Sequence, residues 1–270
     1  MDISKLEVIK VKNRKCYKTE CTQCQKVLYR TKLSLETLQF PKLCSSCVIT
    51  NRNKTVKHYK HSHNRNYFKE LSFQSAYWAG FIAADGCLSD KKTISIKINK
   101  KDIDRLNQFL KDIDSSASVL NSGNENRKRV IITSPECWKD LNIIYNLTPR
   151  KSLTLTPPNI HSEELIKAFI IGYIDGDGSI CFCGPNQYLK LSIVGTFEFL
   201  NWIKFYFDSW VDTTKAKKEI QQKTTKSGAL VYEYTVYGKR ALKLINLLKE
   251  IPLNKMKRKW ENPLLLNYNL

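Results

Sequence analysis

The stretch "AFIIGYIDGDG", residues 168–178, is an apolar run that closes on two aspartates set between glycines. Its small residues Ala168, Gly172 and Gly176 recur every four positions, which puts them on one stripe of a helix. A stripe without side chains lets a second helix backbone approach closely. Asp177, one residue beyond the stripe, would stand at the helix C-terminus, where the dipole disfavours negative charge. The following glycine, Gly178, can take a left-handed cap conformation.

The stretch has a partner in the same chain. "AYWAGFIAADGCL" (76–88) aligns with "AFIIGYIDGDGSI" (168–180) without a gap at an offset of 92, pairing Gly80 with Gly172 and Asp85 with Asp177. The correspondence continues outward. "KTISIKIN" (92–99) answers "YLKLSIVG" (188–195), and "RKRVIITS" (127–134) answers "LVYEYTVYG" (230–238), each alternating as a half-buried strand does. "PECWKDLNIIYNL" follows Ser134, an N-cap with proline at the first helical position, and its counterpart is "KRALKLINLLKEI" (239–251). Each unit finishes on a lysine after a short turn, Lys151 in "TPRKS" and Lys255 in "LNKMK". The expected fold class is therefore α+β, two tandem αββαββα units related by a pseudo-twofold axis, over residues 74–155 and 156–270.

Composition narrows the partner. The 270 residues carry 45 Lys and Arg against 25 Asp and Glu, a net charge of +20. Such a charge opposes compaction unless a polyanion is the usual neighbour, so nucleic acid is the expected partner. No export signal and no apolar stretch of about 20 residues is present, which points to a soluble intracellular protein without a membrane partner. Residues 1–73 hold 16 Lys and Arg but only 5 Asp and Glu.

That basic front end also holds two Cys-x-x-Cys knuckles, Cys21 with Cys24 and Cys44 with Cys47, separated by 19 residues. In a reduced compartment this spacing predicts a structural four-thiolate Zn²⁺ site in a small finger module, residues 1–50. So small a core depends on its metal to fold. Cys16 is left over. Residues 51–73 read as an extended basic linker able to track a phosphate backbone; His58, His61 and His63 within it invite a second metal site, although histidines in such linkers more often face water or phosphate.

The two small-residue stripes predict that the duplicated helices pack on each other and bring Asp85 and Asp177 together. Paired carboxylates near two helix C-termini repel one another, and a hard divalent cation resolves the conflict. Mg²⁺, or Mn²⁺ or Ca²⁺ in the same place, binds through one or two carboxylates plus water and phosphate oxygens, as phosphodiester cleavage requires.

At these residues the chain resembles the LAGLIDADG homing endonucleases of the monomeric, two-repeat kind. "WAGFIAADG" (78–86) and "IIGYIDGDG" (170–178) carry the resemblance, which covers roughly 70–262. It implies an Mg²⁺-dependent endonuclease that cuts both strands of a long DNA site across the minor groove, acting as a monomer without an obligate protein partner. It further implies that Asp85 and Asp177 bind the catalytic metals and that Lys151 and Lys255 are the basic residues near each active site, polarising phosphate or assisting the water electrostatically. The first motif has Ala83 at its sixth position, usually acidic, where the second keeps Asp175; that position is not the metal-binding one. An RNA-splicing maturase and a non-catalytic DNA-binding regulator are the competing readings of such a chain, and retention of both aspartates favours cleavage.

Recognition is expected on the sheets. Thr93, Ser95, Lys97 and Asn99 share one face of their strand, with Arg127, Arg129 and Thr133 in a similar outward row. Lys190, Ser192, Thr235 and Tyr237 occupy the same places in the second unit.

Overall fold

The computed structural model describes residues 6–12, 14–36, 43–48, 61–185, 187–211, 219–224, 228 and 230–266. His58 and the first ten residues of the basic stretch 51–73 lie outside the described residues. The chain divides into two compact units, Met1–His58 and Tyr59–Leu270.

In the first unit, β1 (Val8–Val11), β2 (Arg14–Glu20) and β3 (Val27–Arg30) form an antiparallel sheet in the order β1-β2-β3. A five-residue helix α1 (Lys32–Glu36) and a helical turn α2 (45–48) follow. The β1–β2 hairpin has no counterpart in the sequence reading, because its short alternation is masked by lysines. Its small core consists of Cys21, Cys44 and Cys47 with Leu28 and Leu43 packed on them.

The second unit runs twice through the same order. The first pass is α3 (Phe73–Asp85), β4 (Gly86–Leu88), β5 (Thr93–Asn99), α4 (Ile103–Asp112), β6 (Leu120–Ser122), β7 (Asn124–Thr133) and α5 (Pro135–Tyr145). The second is α6 (Glu163–Asp177), β8 (Gly178–Cys183), β9 (Tyr188–Gly195), α7 (Phe197–Trp210), β10 (Gln221–Thr224), β11 (Leu230–Tyr237) and α8 (Gly238–Lys249). Two short helices, α9 (Lys257–Trp260) and α10 (Pro263–Leu266), close the chain. The sheets are antiparallel and equivalent in order, β4-β5-β7-β6 and β8-β9-β11-β10.

Local chemistry starts and stops these elements where the site needs them. Ser72 and Ser75 form a reciprocal capping box at the start of α3, with Ser75 N–H donating to Ser72 Oγ at 3.1 Å and Ser72 N–H to Ser75 Oγ at 2.9 Å. Ser134 caps α5 by accepting from Cys137 N–H at 3.2 Å, with Pro135 at the first helical position. Behind the sheets, one continuous core spans both passes.

Residues 61–70 differ from the extended linker that their composition predicts. Tyr67 and Phe68 are buried in the core, and Asn64 N–H donates to Ile113 O at 2.8 Å. Two adjacent aromatics suffice to pull an otherwise polar stretch onto the first repeat, since each buries a large apolar surface.

Candidate active site and nucleic-acid interface

The helices α3 and α6 meet backbone to backbone. A Cβ built on Gly80 would stand 1.9 Å from Phe169 O, and one on Gly172 would stand 1.9 Å from Tyr77 O. These contacts are equivalent by the offset of 92, so the two helices are related by the pseudo-twofold axis at atomic detail. Lower down, a Cβ on Gly176 would meet Ala84 Cβ at 2.3 Å and Asp85 N at 3.4 Å. The sequence-predicted acids therefore stand side by side at the feet of the helices.

Each helix passes directly into a strand. Gly86 has φ −87° and ψ 162°, and Gly178 φ −87° and ψ 163°, extended rather than left-handed. The glycines serve space instead of handedness, because an added Cβ would sit 2.7 Å from Ile82 O in one and 2.7 Å from Ile174 O in the other.

Asp85 and Asp177 are solvent-open, and among the described residues neither accepts a hydrogen bond or joins an ion pair. Surrounding protein nevertheless withdraws enough water to raise both. Asp177 is pushed up to about 6 by that partial burial and then by the Asp85 charge, against the pull of Lys151 and Lys259. Asp85 is raised by burial while Lys259, Lys151 and Arg258 pull it down. Two raised carboxylates with free oxygens are a donor set suited to a hard divalent cation.

Two ammonium groups flank them, in matching places. Lys151 is 5% exposed and donates to Gly86 O at 2.7 Å. Lys259 is 6% exposed and reaches Gly178 O at 2.8 Å, with Ile174 O, Asp175 O and Gly176 O also within 3.1 Å. Gly86 and Gly178 are equivalent residues, so the lysine that answers Lys151 is Lys259, not Lys255. Lys255 instead turns back on the end of α8, donating to Lys249 O at 3.1 Å and Ile251 O at 2.5 Å. Burial lowers Lys151, with Asp177, Cys87 and Asp85 opposing. Burial lowers Lys259 to about 8, with the carboxylates of Asp175, Asp85 and Asp177 opposing.

Sequence reasoning missed Lys259 because "NKMKRKW" offers four basic residues in seven positions and the connection to the second lysine is longer than that to the first.

On the first sheet the polar residues of β5 and β7 share the face turned away from the core. Thr93 pairs with Thr133, Lys97 with Arg129 and Asn99 with Arg127 across β5 and β7, while Ile94, Ile96, Ile98, Val130 and Ile132 point into the core. Ser95 pairs with the half-buried Ile131, which interrupts the polar row. Lys97, Arg127 and Arg129 are exposed and have no ion-pair partner among the described residues.

The second sheet is different. Ser192 is 6% exposed and sits opposite Thr235. Lys190, opposite the exposed Tyr237, is 3.4 Å from Glu233, and Lys223 pairs with the same carboxylate. These two cations thus share one carboxylate, which cancels one of their two charges and ties both in place, and Ser192 offers little surface to a partner.

In the N-terminal unit the four sulfurs of Cys21, Cys24, Cys44 and Cys47 lie within 4.8 Å of one another. A tetrahedral zinc with bonds of about 2.3 Å separates its sulfurs by about 3.8 Å, and Cys24 Sγ to Cys44 Sγ is 3.6 Å. Backbone N–H groups support the thiolates: Cys44 N–H donates to Cys21 Sγ at 3.2 Å and Cys47 N–H to Cys44 Sγ at 3.4 Å. Against the effect of burial, such bonds bring Cys21 down to about 6. The donor set fits zinc. Cys16 is buried on β2 opposite Ile9, apart from the quartet, and among the described residues no second group of three or more His, Cys, Asp or Glu ligands forms around His61 or His63.

No family model matches this chain, and no curated protein matches it. Among solved structures it is similar to the LAGLIDADG meganuclease I-CpaMI bound to uncleaved DNA, with 14% identity over 67% of this chain and 86% of that chain and a TM-score of 0.45. I-SmaMI bound to an uncleaved DNA target in the presence of calcium ions gives 14% identity over 70% and 87% of the two chains, with a TM-score of 0.46. The homing endonuclease I-WcaI bound to its DNA recognition sequence gives 15% identity over 72% and 90%, with a TM-score of 0.46.

Proposed function

We propose that the protein is a site-specific endonuclease of the homing type that hydrolyses both strands of a long DNA site with a divalent cation, Mg²⁺ or Mn²⁺. The observation that carries this reading is the pair of solvent-open, unpartnered carboxylates at the feet of two glycine-packed helices, with a buried lysine on either side. Asp85 and Asp177 would hold the cation, which supplies Lewis-acid stabilisation of charge developing on the phosphate. Lys151 and Lys259 stand beside the carboxylates, where their charge can polarise a phosphate or a nearby water, and the lowering of Lys259 to about 8 eases proton exchange there near neutral pH.

Thr93, Ser95, Lys97, Asn99, Arg127, Arg129 and Thr133 would meet the first half of the site, Lys and Arg on phosphates and guanine edges, the shorter groups on other base edges. Thr235 and Tyr237 would serve the second half, with Lys190 held by Glu233. Cys21, Cys24, Cys44 and Cys47 would hold structural zinc, and the basic unit around them would add phosphate contacts. The chain supplies both halves of the site and so needs no second copy.

Incubation with a random DNA pool and Mg²⁺, followed by sequencing of cut ends, tests the reading. Cleavage at one sequence by the wild type, and its loss in Asp85→Asn and Asp177→Asn with binding retained, is the expected outcome. Specific binding without cleavage by the wild type would instead indicate a regulator or maturase.

A further inference from the structure

Asp175 is an acid that the proposed chemistry does not use. The equivalent position in the first motif is Ala83. Its carboxylate is 1% exposed and accepts three hydrogen bonds. One comes from Tyr77 Oη on α3 at 2.8 Å; the others come from Met256 N–H at 2.8 Å and Trp260 Nε1–H at 2.6 Å. Met256 and Trp260 bracket α9, the single helical turn whose third residue is Lys259. One buried carboxylate therefore holds both ends of the turn that carries a site lysine.

A four-residue helix has no stability of its own, so its orientation must come from such contacts. The first repeat holds the same segment from the other side. Arg258 forms a two-bonded pair with Asp102, at 2.8 and 3.1 Å, and Arg105 donates to the carbonyl and side-chain oxygens of Asn254. Lys151 reaches its carbonyl from a different turn, with no acid at position 83 beneath it. The two lysines share a place but not a support.

We infer that Asp175 is a positioning residue: by docking residues 256–260 on the foot of the helix pair it fixes Lys259 in the site and leaves Lys151 untouched. That this positioning serves cleavage of one strand rests on the endonuclease reading; the positioning itself does not.

The test compares Trp260→Phe and Asp175→Asn with Tyr77→Phe, which removes a donor to the same carboxylate from outside the segment. Lysine acylation of the DNA-free, metal-free protein with an amine-reactive ester, read by mass spectrometry, reports on the exposure and basicity of each amine without any cleavage step, and Trp260→Phe, which keeps the Asp175 charge, isolates position from basicity. Trp260→Phe is expected to raise acylation of Lys259 by about tenfold, the scale of one lost buried hydrogen bond, with Lys151 unchanged. Tyr77→Phe should leave both lysines as protected as in the wild type. With the two DNA strands labelled separately, Trp260→Phe should slow one strand about tenfold at unchanged KM, so that nicked DNA accumulates. Should Asp175→Asn fail to fold, Trp260→Phe alone decides. Equal deprotection of both lysines, or none, overturns the inference. Selective deprotection of Lys259 in a protein that cuts no DNA would sustain it and overturn the endonuclease reading instead.

Discussion

An ionised Asp177 burdens the metal-free protein. Its folded pKa of about 6 lies above the ordinary 3.8, so the folded state binds more protons than the unfolded one between those values, and its contribution to stability falls as pH rises through that window. Asp177→Asn should therefore stabilise the metal-free protein at pH 7.5 by about 1 kcal/mol, a figure reduced for solvent screening at an open site. The gain should vanish near pH 4, and denaturant titrations at both pH values measure it. The same proton competes with the cation, so Mg²⁺ affinity, followed by calorimetry, should weaken below about pH 6. Lys259→Met should lower cleavage by a factor on the order of 10² or more with DNA affinity nearly intact, whereas Lys255→Met should stay within a few-fold of wild type. At this scale the sequence was half legible. Asp85 and Asp177 could be read because duplication marks them by position, while Lys259 could not, because only the folded backbone reveals which lysine reaches the second strand-leading glycine.

Helices and strands were more legible than single side chains. The strands β5, β7, β9 and β11 and the helices α3, α5, α6 and α8 follow from alternation, spacing and caps that lie within ten or fifteen residues. The cap glycines show the limit: sequence tells that Gly86 and Gly178 are required, and only the helix-to-strand passage tells why. Contact between α3 and α6 permits no side chain at Gly80 or Gly172, where a methyl group would fall 1.9 Å from a carbonyl oxygen. Gly80→Ala or Gly172→Ala should each cost about 3 kcal/mol, although alanine favours helix, and should lower the denaturation midpoint accordingly. The cysteine quartet makes an independent forecast. Metal analysis should find close to one zinc per chain, lost in the Cys21→Ser, Cys44→Ser double variant, with the melting of the Tyr59–Leu270 unit retained because its core is separate.

Across the whole molecule, the charge of +20 sets the terms of binding. DNA affinity should fall by about 10³ or more between 50 and 200 mM salt, and replacing Lys97 and Arg129 with alanine should reduce the slope of log K against log salt by about 2. Filter binding across a salt series measures both. The equivalent faces of the two sheets are unlike: the first presents free cations, the second ties Lys190 and Lys223 to Glu233. Sequence gave no warning of this, since which side chains pair across strands depends on register.

The bond from Tyr77 to Asp175 has a consequence for ancestry and engineering. Tyr77 corresponds to Phe169 in the other motif, and Asp175 to Ala83. Were two copies of the first half to associate, each would bury a phenol facing an alanine; two copies of the second would each leave an acid facing a benzene ring. Neither half is a good mate for itself, so any attempt to rebuild the molecule as a homodimer from a half-gene must first restore the missing hydroxyl or remove the stranded carboxylate.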